Sequence, residues 1–177
     1  MKIFSIAPDG NEMADMADIA AFLAKIKADK RCEIFPVSGG LEPLSNRTLS
    51  YPDDVLEFYS QCGGVRLFRS GVDNVSFEIL HPNKIKQSNI LIVGEECSED
   101  ISSTWYVICQ TDNGDYISID LCKKRLGRCY DSHYEVHGVI GSCPIIARDF
   151  TELLDGLYKT GGVDIFWRGR NYGDAYD

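Results

Sequence analysis

Residues 105–121 read WYVICQTDNGDYISIDL. Two runs rich in β-branched and aromatic residues flank Thr111-Asp112-Asn113-Gly114. Asn-Gly accepts the positive φ angles of a tight hairpin turn, so Trp105–Gln110 and Asp115–Leu121 are predicted to be paired arms. Side chains alternate along a strand. In the second arm Ile117, Ile119 and Leu121 therefore face one way, and Tyr116, Ser118 and Asp120 the other. Short turns join antiparallel strands only, so an antiparallel sheet is expected.

On the N-terminal side, Val65–Arg69 and Val75–Leu80 read as short strands separated by Ser70-Gly71 and Asp73-Asn74. Ile90–Val93 is a short apolar run, read as a strand. Before them lies a helix expected from about Pro52 to Cys62. Proline suits the first helical position, and Asp53 and Asp54 complement the positive end of the helix dipole. Val55, Phe58, Tyr59 and Cys62 recur at i, i+3, i+4, i+7, and Gly63-Gly64 is read as a left-handed stop. An earlier helix is expected over Asn11–Arg31, on the spacing of Met16, Ile19, Leu23 and Ile26. Residues 32–48 read as irregular. On the C-terminal side, Gly127–Tyr130 and Tyr134–Val139 read as strands. A last helix, Phe150 to about Tyr158, carries Phe150, Leu153, Leu154 and Leu157 on one stripe, with Asp149 and Glu152 spaced as in a capping box. Residues 163–177 form a polar, aromatic extension without periodicity. Strands grouped between helices give an α+β fold. We expect one domain over residues 1–177, an antiparallel sheet of about five or six strands flanked by helices, with Phe58, Phe150, Leu153 and Leu157 in the core.

Of 177 residues, 18 are Lys or Arg and 27 are Asp or Glu, a net charge of −9. The excess is spread along the chain, with nets of −4, −3 and −2 over residues 1–80, 81–147 and 148–177. Phosphate would be repelled, so non-specific binding to nucleic acid or to anionic membrane is not expected. A basic partner suits this balance. No run of about 18 apolar residues occurs, and the first 27 residues lack a secretory pattern, so a cytoplasmic location is expected. The seven cysteines are odd in number and include no C-x-x-C pair, which argues against a disulfide framework or a structural zinc site.

Phosphate-binding glycine loops, H-E-x-x-H and G-x-S-x-G are all absent. One alternation could carry chemistry: Cys129, Asp131, His133, Glu135 and His137. On a continuous strand all five would share a face, with neighbours roughly 6–7 Å apart, near enough for two or three to share a metal. A loop after Tyr130, or a solvated edge strand, removes that possibility and is the preferred reading. Asp112, Asp115 and Asp120 around the hairpin are read as turn and strand-end residues rather than a cation site. Glu95, Glu96, Glu99 and Asp100 form the densest acidic run, with no basic residue inside it, and are the candidate docking patch for a basic partner. Trp167, beside Arg168 and Arg170 in the polar extension, is the candidate contact anchor; packing the extension down is its other reading. Trp105 opens an apolar strand and is expected in the core.

Several of these pieces, in order, resemble the SUKH superfamily (Smi/Knr-like proteins). They are Tyr51-Pro52-Asp53-Asp54-Val55-Leu56-Glu57-Phe58-Tyr59 followed by Cys62-Gly63-Gly64-Val65; Ile79-Leu80-His81-Pro82; the hairpin with Asn113-Gly114-Asp115-Tyr116; Gly127-Arg128-Cys129-Tyr130; and Ala147-Arg148-Asp149-Phe150-Thr151-Glu152-Leu153-Leu154. Tyr51 and Cys62 stand where that superfamily more often has Leu and Asn. The superfamily contains a fungal cell-wall regulator and many bacterial immunity proteins. The resemblance implies a non-enzymatic binding module without catalytic residues, cofactor or metal: an immunity protein that binds and neutralises a cognate toxin, expected to be a basic nuclease. Two alternatives stay open. One is a regulatory scaffold of the same fold. The other is a small metal-dependent enzyme using Asp131, His133, Glu135 and His137.

Overall fold

The computed structural model describes residues 18–69, 74–169 and 171–177. The expected start of the first helix (residues 11–17, with Met16), the turn at residues 70–73 and Arg170 lie outside the described residues. Seven strands form one sheet in chain order: β1 (Glu33–Ile34), β2 (Val65–Leu67), β3 (Phe77–Ile79), β4 (Trp105–Thr111), β5 (Tyr116–Asp120), β6 (Cys129–Asp131) and β7 (Ile145–Ala147). Every neighbouring pair is antiparallel, as expected. The count is seven rather than five or six. β1 and β7 are two and three residues long, too short to show a period of their own, and they lie at the two edges.

Four helices accompany the sheet: α1 (Ile19–Ala28), α2 (Asp53–Gln61), α3 (Ser88–Ile92) and α4 (Phe150–Lys159). Helices α1, α2 and α4 touch one another, and their apolar stripes share the larger core with Ile117 and Ile119 of β5. Phe58, Phe150, Leu153 and Leu157 are fully buried there. Phe58 meets Tyr59 and Phe150 edge-on at 5.0 and 5.2 Å between ring centres. Asp149 caps α4 by accepting from the Glu152 amide at 2.7 Å, and the Glu152 carboxylate accepts from the Arg148 amide, also at 2.7 Å.

The glycine pair after α2 does something other than the left-handed stop expected of it. Cys62, the residue that ends the helix, is extended. A Cβ on Gly63 would lie 2.3 Å from the Pro36 carbonyl oxygen, and one on Gly64, at φ +120°, 2.5 Å from that of Ile79. The pair lets three backbone segments meet where β1, β2 and β3 begin to pair. Close approach, not helix termination, is what demands glycine here.

The other face of β5 is also covered. Ser118 and Asp120 are fully buried, because α3 and a second, smaller core close over them. That core contains Trp105, Tyr130, Cys143, Ile145 and Ala175, with Tyr176 against it. Trp105 is a core residue, as expected, stacked on Tyr130 at 3.9 Å. The Asp120 carboxylate is its polar centre. It accepts from Thr104 Oγ1 at 2.7 Å, Trp105 Nε1 at 3.1 Å, Tyr130 Oη at 3.2 Å and the Cys122 amide at 2.9 Å, and it pairs with Arg125 Nε at 2.7 Å. A buried carboxylate requires such compensation.

Residues 171–177 seal this second core. The Ile145 amide donates to the Gly173 carbonyl at 2.8 Å, the Tyr172 amide to Ile145 at 2.9 Å, and the Ala175 amide to Cys143 at 2.8 Å, so the extension lies along β7 like an extra strand.

Candidate functional site

Ile90–Val93, expected as a strand, lies instead in and just beyond the single turn of α3. Gln87 starts that turn: its side-chain oxygen accepts from the Ile90 amide at 2.8 Å. The helix is inverted in polarity. Ser88 and Asn89 are buried (0% and 1% exposed), whereas Ile90, Leu91 and Val93 are 50%, 42% and 53% exposed.

A chain of buried hydrogen bonds explains why the polar side faces inward. Ser88 Oγ lies 2.7 Å from Ser118 Oγ, Ser118 Oγ 2.6 Å from Ser132 Oγ, and Ser132 Oγ 3.0 Å from His137 Nδ1. His137 Nε2 lies 2.7 Å from Asn89 Oδ1, and Asn89 Nδ2 donates to the Glu96 carbonyl at 2.9 Å. A carbonyl can only accept, and this sets the direction of the chain. Asn89 must present its NH2 to Glu96 and its oxygen to His137. Nε2 must then carry the ring proton, Nδ1 accepts from Ser132, Ser132 accepts from Ser118, and Ser118 from Ser88. Protonating His137 would turn Nδ1 into a donor and reverse the serine relay. Burial disfavours that cation and pulls the His137 pKa down to about 4, against a smaller upward pull from Asp100.

Although serine, histidine and asparagine occur here in hydrogen-bond sequence, Ser132 is wholly buried and already engaged on both sides. It offers no nucleophile to a substrate. The chain instead fastens α3 to the segment 132–142, which carries exposed Tyr134 (76%), Val139 (44%) and Ile140 (77%).

The alternation Cys129, Asp131, His133, Glu135, His137 does not converge. β6 ends at Asp131, and the chain then turns, as the loop reading held. The expected strand Tyr134–Val139 is part of this turn segment; His137 and Val139 donate their amides to His133 and Val136. Asp131 accepts from Trp167 Nε1 at 2.8 Å, His133 Nε2 faces Asp115 at 3.3 Å, Glu135 is exposed, and His137 points inward to Asn89. Among the described residues no cluster of three or more His, Cys, Asp or Glu side chains could hold a metal ion. Desolvation raises the thiols of Cys62, Cys109, Cys129 and Cys143, that of Cys143 to about 12, so these four stay protonated and inert.

The acidic run divides in two. Glu95, Glu96 and Glu99 are exposed, and among the described residues none of the three enters an ion pair. The Glu96 backbone is held by Asn89 and by Gln87 while its side chain remains outside. Asp100 serves the fold instead. It caps the turn Ile101–Thr104 by accepting from the Ser102 amide at 2.8 Å, and it accepts from Ser102 Oγ at 2.6 Å and Tyr176 Oη at 2.8 Å. Burial pushes its pKa up, but these hydrogen bonds outweigh it and hold the carboxyl below the usual range. Trp167, the expected contact anchor, is 5% exposed; besides bonding Asp131 it packs between Phe77 and Phe166. It pins the extension down and presents no contact surface.

The exposed apolar residues that the sequence reading did not single out in these two segments are Ile90, Leu91, Val93, Tyr134, Val139 and Ile140. Their signal in the sequence was present but ambiguous, since an apolar run beside a charged one reads equally as a buried strand and its loop.

Among the described residues no helix is long and apolar enough to cross a membrane. No solved structure matches the chain significantly. The immunity protein YokJ of Bacillus subtilis (strain 168) is 38% identical over 162 residues, which cover 90% of this chain and 96% of that protein. The model of the SMI1/KNR4 family (SUKH-1) matches residues 47–156, from just before α2 into α4. With a family match across more than half its length and a relative aligned nearly end to end, the chain belongs to the SMI1/KNR4 family (SUKH-1).

Proposed function

We propose that this protein is an immunity protein, a non-enzymatic module that binds a cognate bacterial toxin in the cytoplasm and blocks it. The observation that carries the reading is 38% identity along 90% of the chain to a protein that is itself an immunity protein. An aligned region of that length spans the surface loops as well as the core. The site geometry supports a binder over a catalyst: its histidine, serines and thiols are buried, partnered or protonated, and what remains exposed is apolar surface and unpaired carboxylate.

The toxin is a nuclease in this reading. Enzymes that grip phosphate do so with Lys and Arg, and a chain of net charge −9 complements such a surface. Steering by complementary charge accelerates encounter, and salt screens it.

The test is co-expression. A candidate toxin domain cloned from the genes that flank this chain's, induced alone, should arrest growth and degrade nucleic acid; induced together with this chain, it should do neither. Growth arrest that persists with both proteins present at comparable levels refutes the immunity reading. Rescue from a toxin that leaves nucleic acid intact refutes the nuclease class alone.

A further inference from the structure

We propose that the toxin docks on the surface built by α3 and the segment 132–142. Ile90, Leu91, Val93, Val139 and Ile140 are its apolar anchors, Glu95, Glu96, Glu99 and Glu135 its charged rim, and the partner presents a basic face with an apolar centre. The inference rests on the immunity reading and adds the place and chemistry of contact.

Four observations converge on it. Eleven large apolar side chains are exposed among the described residues, and six of them fall in just two short segments, 90–93 and 134–140. Scattered exposed apolar residues are ordinary, but concentration of this kind marks an interaction surface. Second, α3 buries Ser88 and Asn89 and turns Ile90 and Leu91 outward. That arrangement needs a dedicated buried hydrogen-bond chain to sustain it, where a helix of opposite polarity would need none. Third, His137 bridges the two segments through Asn89 and Ser132, so the anchors sit on one braced unit rather than on independent loops. Fourth, Glu95, Glu96 and Glu99, which follow α3, and Glu135, within the second segment, are exposed and enter no ion pair among the described residues. Charge also selects the occupant. A second copy of the chain on a two-fold axis would set two groups of four glutamates against each other, and like charges across an interface oppose association. A basic partner relieves that charge.

Anchors and rim act on different rate constants. Packed apolar anchors hold the complex together and set dissociation, while rim charges set association and its salt dependence.

The probe is the toxin domain that this chain neutralises in the co-expression test, immobilised in a form inactivated at its own catalytic centre, with binding of the full chain followed at low and high salt. Ile90→Ser/Leu91→Ser/Ile140→Ser should dissociate about 100-fold faster with association changed less than ~3-fold. Glu95→Gln/Glu96→Gln/Glu99→Gln should associate about 10-fold more slowly at low salt and lose most of its salt dependence. Leu56→Ser/Val163→Ser, exposed apolar positions elsewhere, should match the wild type. All of these side chains are exposed, so thermal midpoints should hold. If the triple serine variant fails to fold, the single change Ile140→Ser carries the test with dissociation about 10-fold faster. Wild-type dissociation in the serine variant, or a wild-type dimer that becomes monomeric in it, overturns the proposal while the immunity reading stands. A wild-type chain that does not bind the toxin at all overturns the immunity reading itself.

Discussion

Changing His137 to Gln removes the one titrating group in the chain of hydrogen bonds beneath α3, and the effect on stability should depend on pH in a defined direction. In the folded protein the imidazole is neutral, with a pKa lowered to about 4 from 6.5, chiefly by burial. The carboxylate of Asp100 faces it electrostatically, and the ring of Trp105 lies edge-on at 5.7 Å. Because the folded value is depressed, the unfolded chain takes up the proton first as pH falls. The stabilisation linked to neutral His137 is complete above 6.5 and is lost progressively as pH drops through the window down to about 4. A shift of that size corresponds to roughly 2–3 kcal/mol after a discount for solvent at the edge of the loop. At neutral pH the Gln variant should be destabilised by about 1–3 kcal/mol, since one amide cannot hold both Ser132 and Asn89 in the same geometry. Urea unfolding of both proteins across this pH range supplies the assay. Wild type should lose its advantage on acidification until the two curves meet. A difference that stays constant from neutral pH to 4 would falsify the assignment of His137 as a buried neutral imidazole.

Phe58→Ala empties a fully buried site in contact with Tyr59 and Phe150, and should cost about 3–5 kcal/mol; a urea midpoint close to wild type would contradict its place in the core. Gly64→Ala sets a Cβ 2.5 Å from the Ile79 carbonyl oxygen at φ +120° and should cost more than about 1 kcal/mol, whereas the same change at Gly40, where a Cβ meets nothing within 4 Å, should be nearly neutral. Asp120→Asn leaves Arg125 without its ion partner and turns an amide NH2 toward donors, at a cost of about 3–5 kcal/mol in the same assay. Asp100→Asn should lower the thermal midpoint because Asp100 accepts from both Ser102 and Tyr176, while Glu99→Gln should leave it unchanged; equal midpoints would show that the acidic run is not divided between fold and surface.

Much of the fold was legible where local chemistry and burial agree. The hairpin was readable because Asn113-Gly114 selects its turn and the alternation after it sets which face each side chain takes. Helices α2 and α4 were readable from stripes that do face the core. The site was harder, because its residues break that agreement. Ile90, Leu91 and Val93 read as a buried strand, since four apolar residues in a row are usually buried and no local signal says otherwise. What holds them outward is the burial of Ser88 and Asn89 by Ser118 and His137, 30 and 48 residues away. Trp167 misled for the converse reason. Its neighbours are polar, but its partner Asp131 lies 36 positions earlier. Of the four acids in the run, Asp100 alone is an aspartate, whose short side chain suits turns and caps, and it accepts from the amide and hydroxyl of Ser102 two residues on; Glu96 has Ser98 at the same spacing but a longer side chain.

In the docking proposed above, the same bonds bear on how tightly a partner can be held. Ordering a loop on binding subtracts from affinity, by about 0.5–1.5 kcal/mol for each long side chain immobilised and more for backbone. Here much of that ordering is complete before any partner arrives. The Glu96 backbone is bound by Asn89 and Gln87, Asp100 is tied to Tyr176 of the C-terminal extension, and segment 132–142 is tied through His137. The extension therefore does for the acidic run what the serine relay does for α3: it supports the surface from beneath while leaving the outer side chains uncommitted. The outward residues can change without disturbing the relay, since neither Ile90 nor Leu91 contributes a side chain to it. The interactions that maintain this surface are thus separate from the side chains it exposes, which is the division that a docking surface of the proposed kind requires.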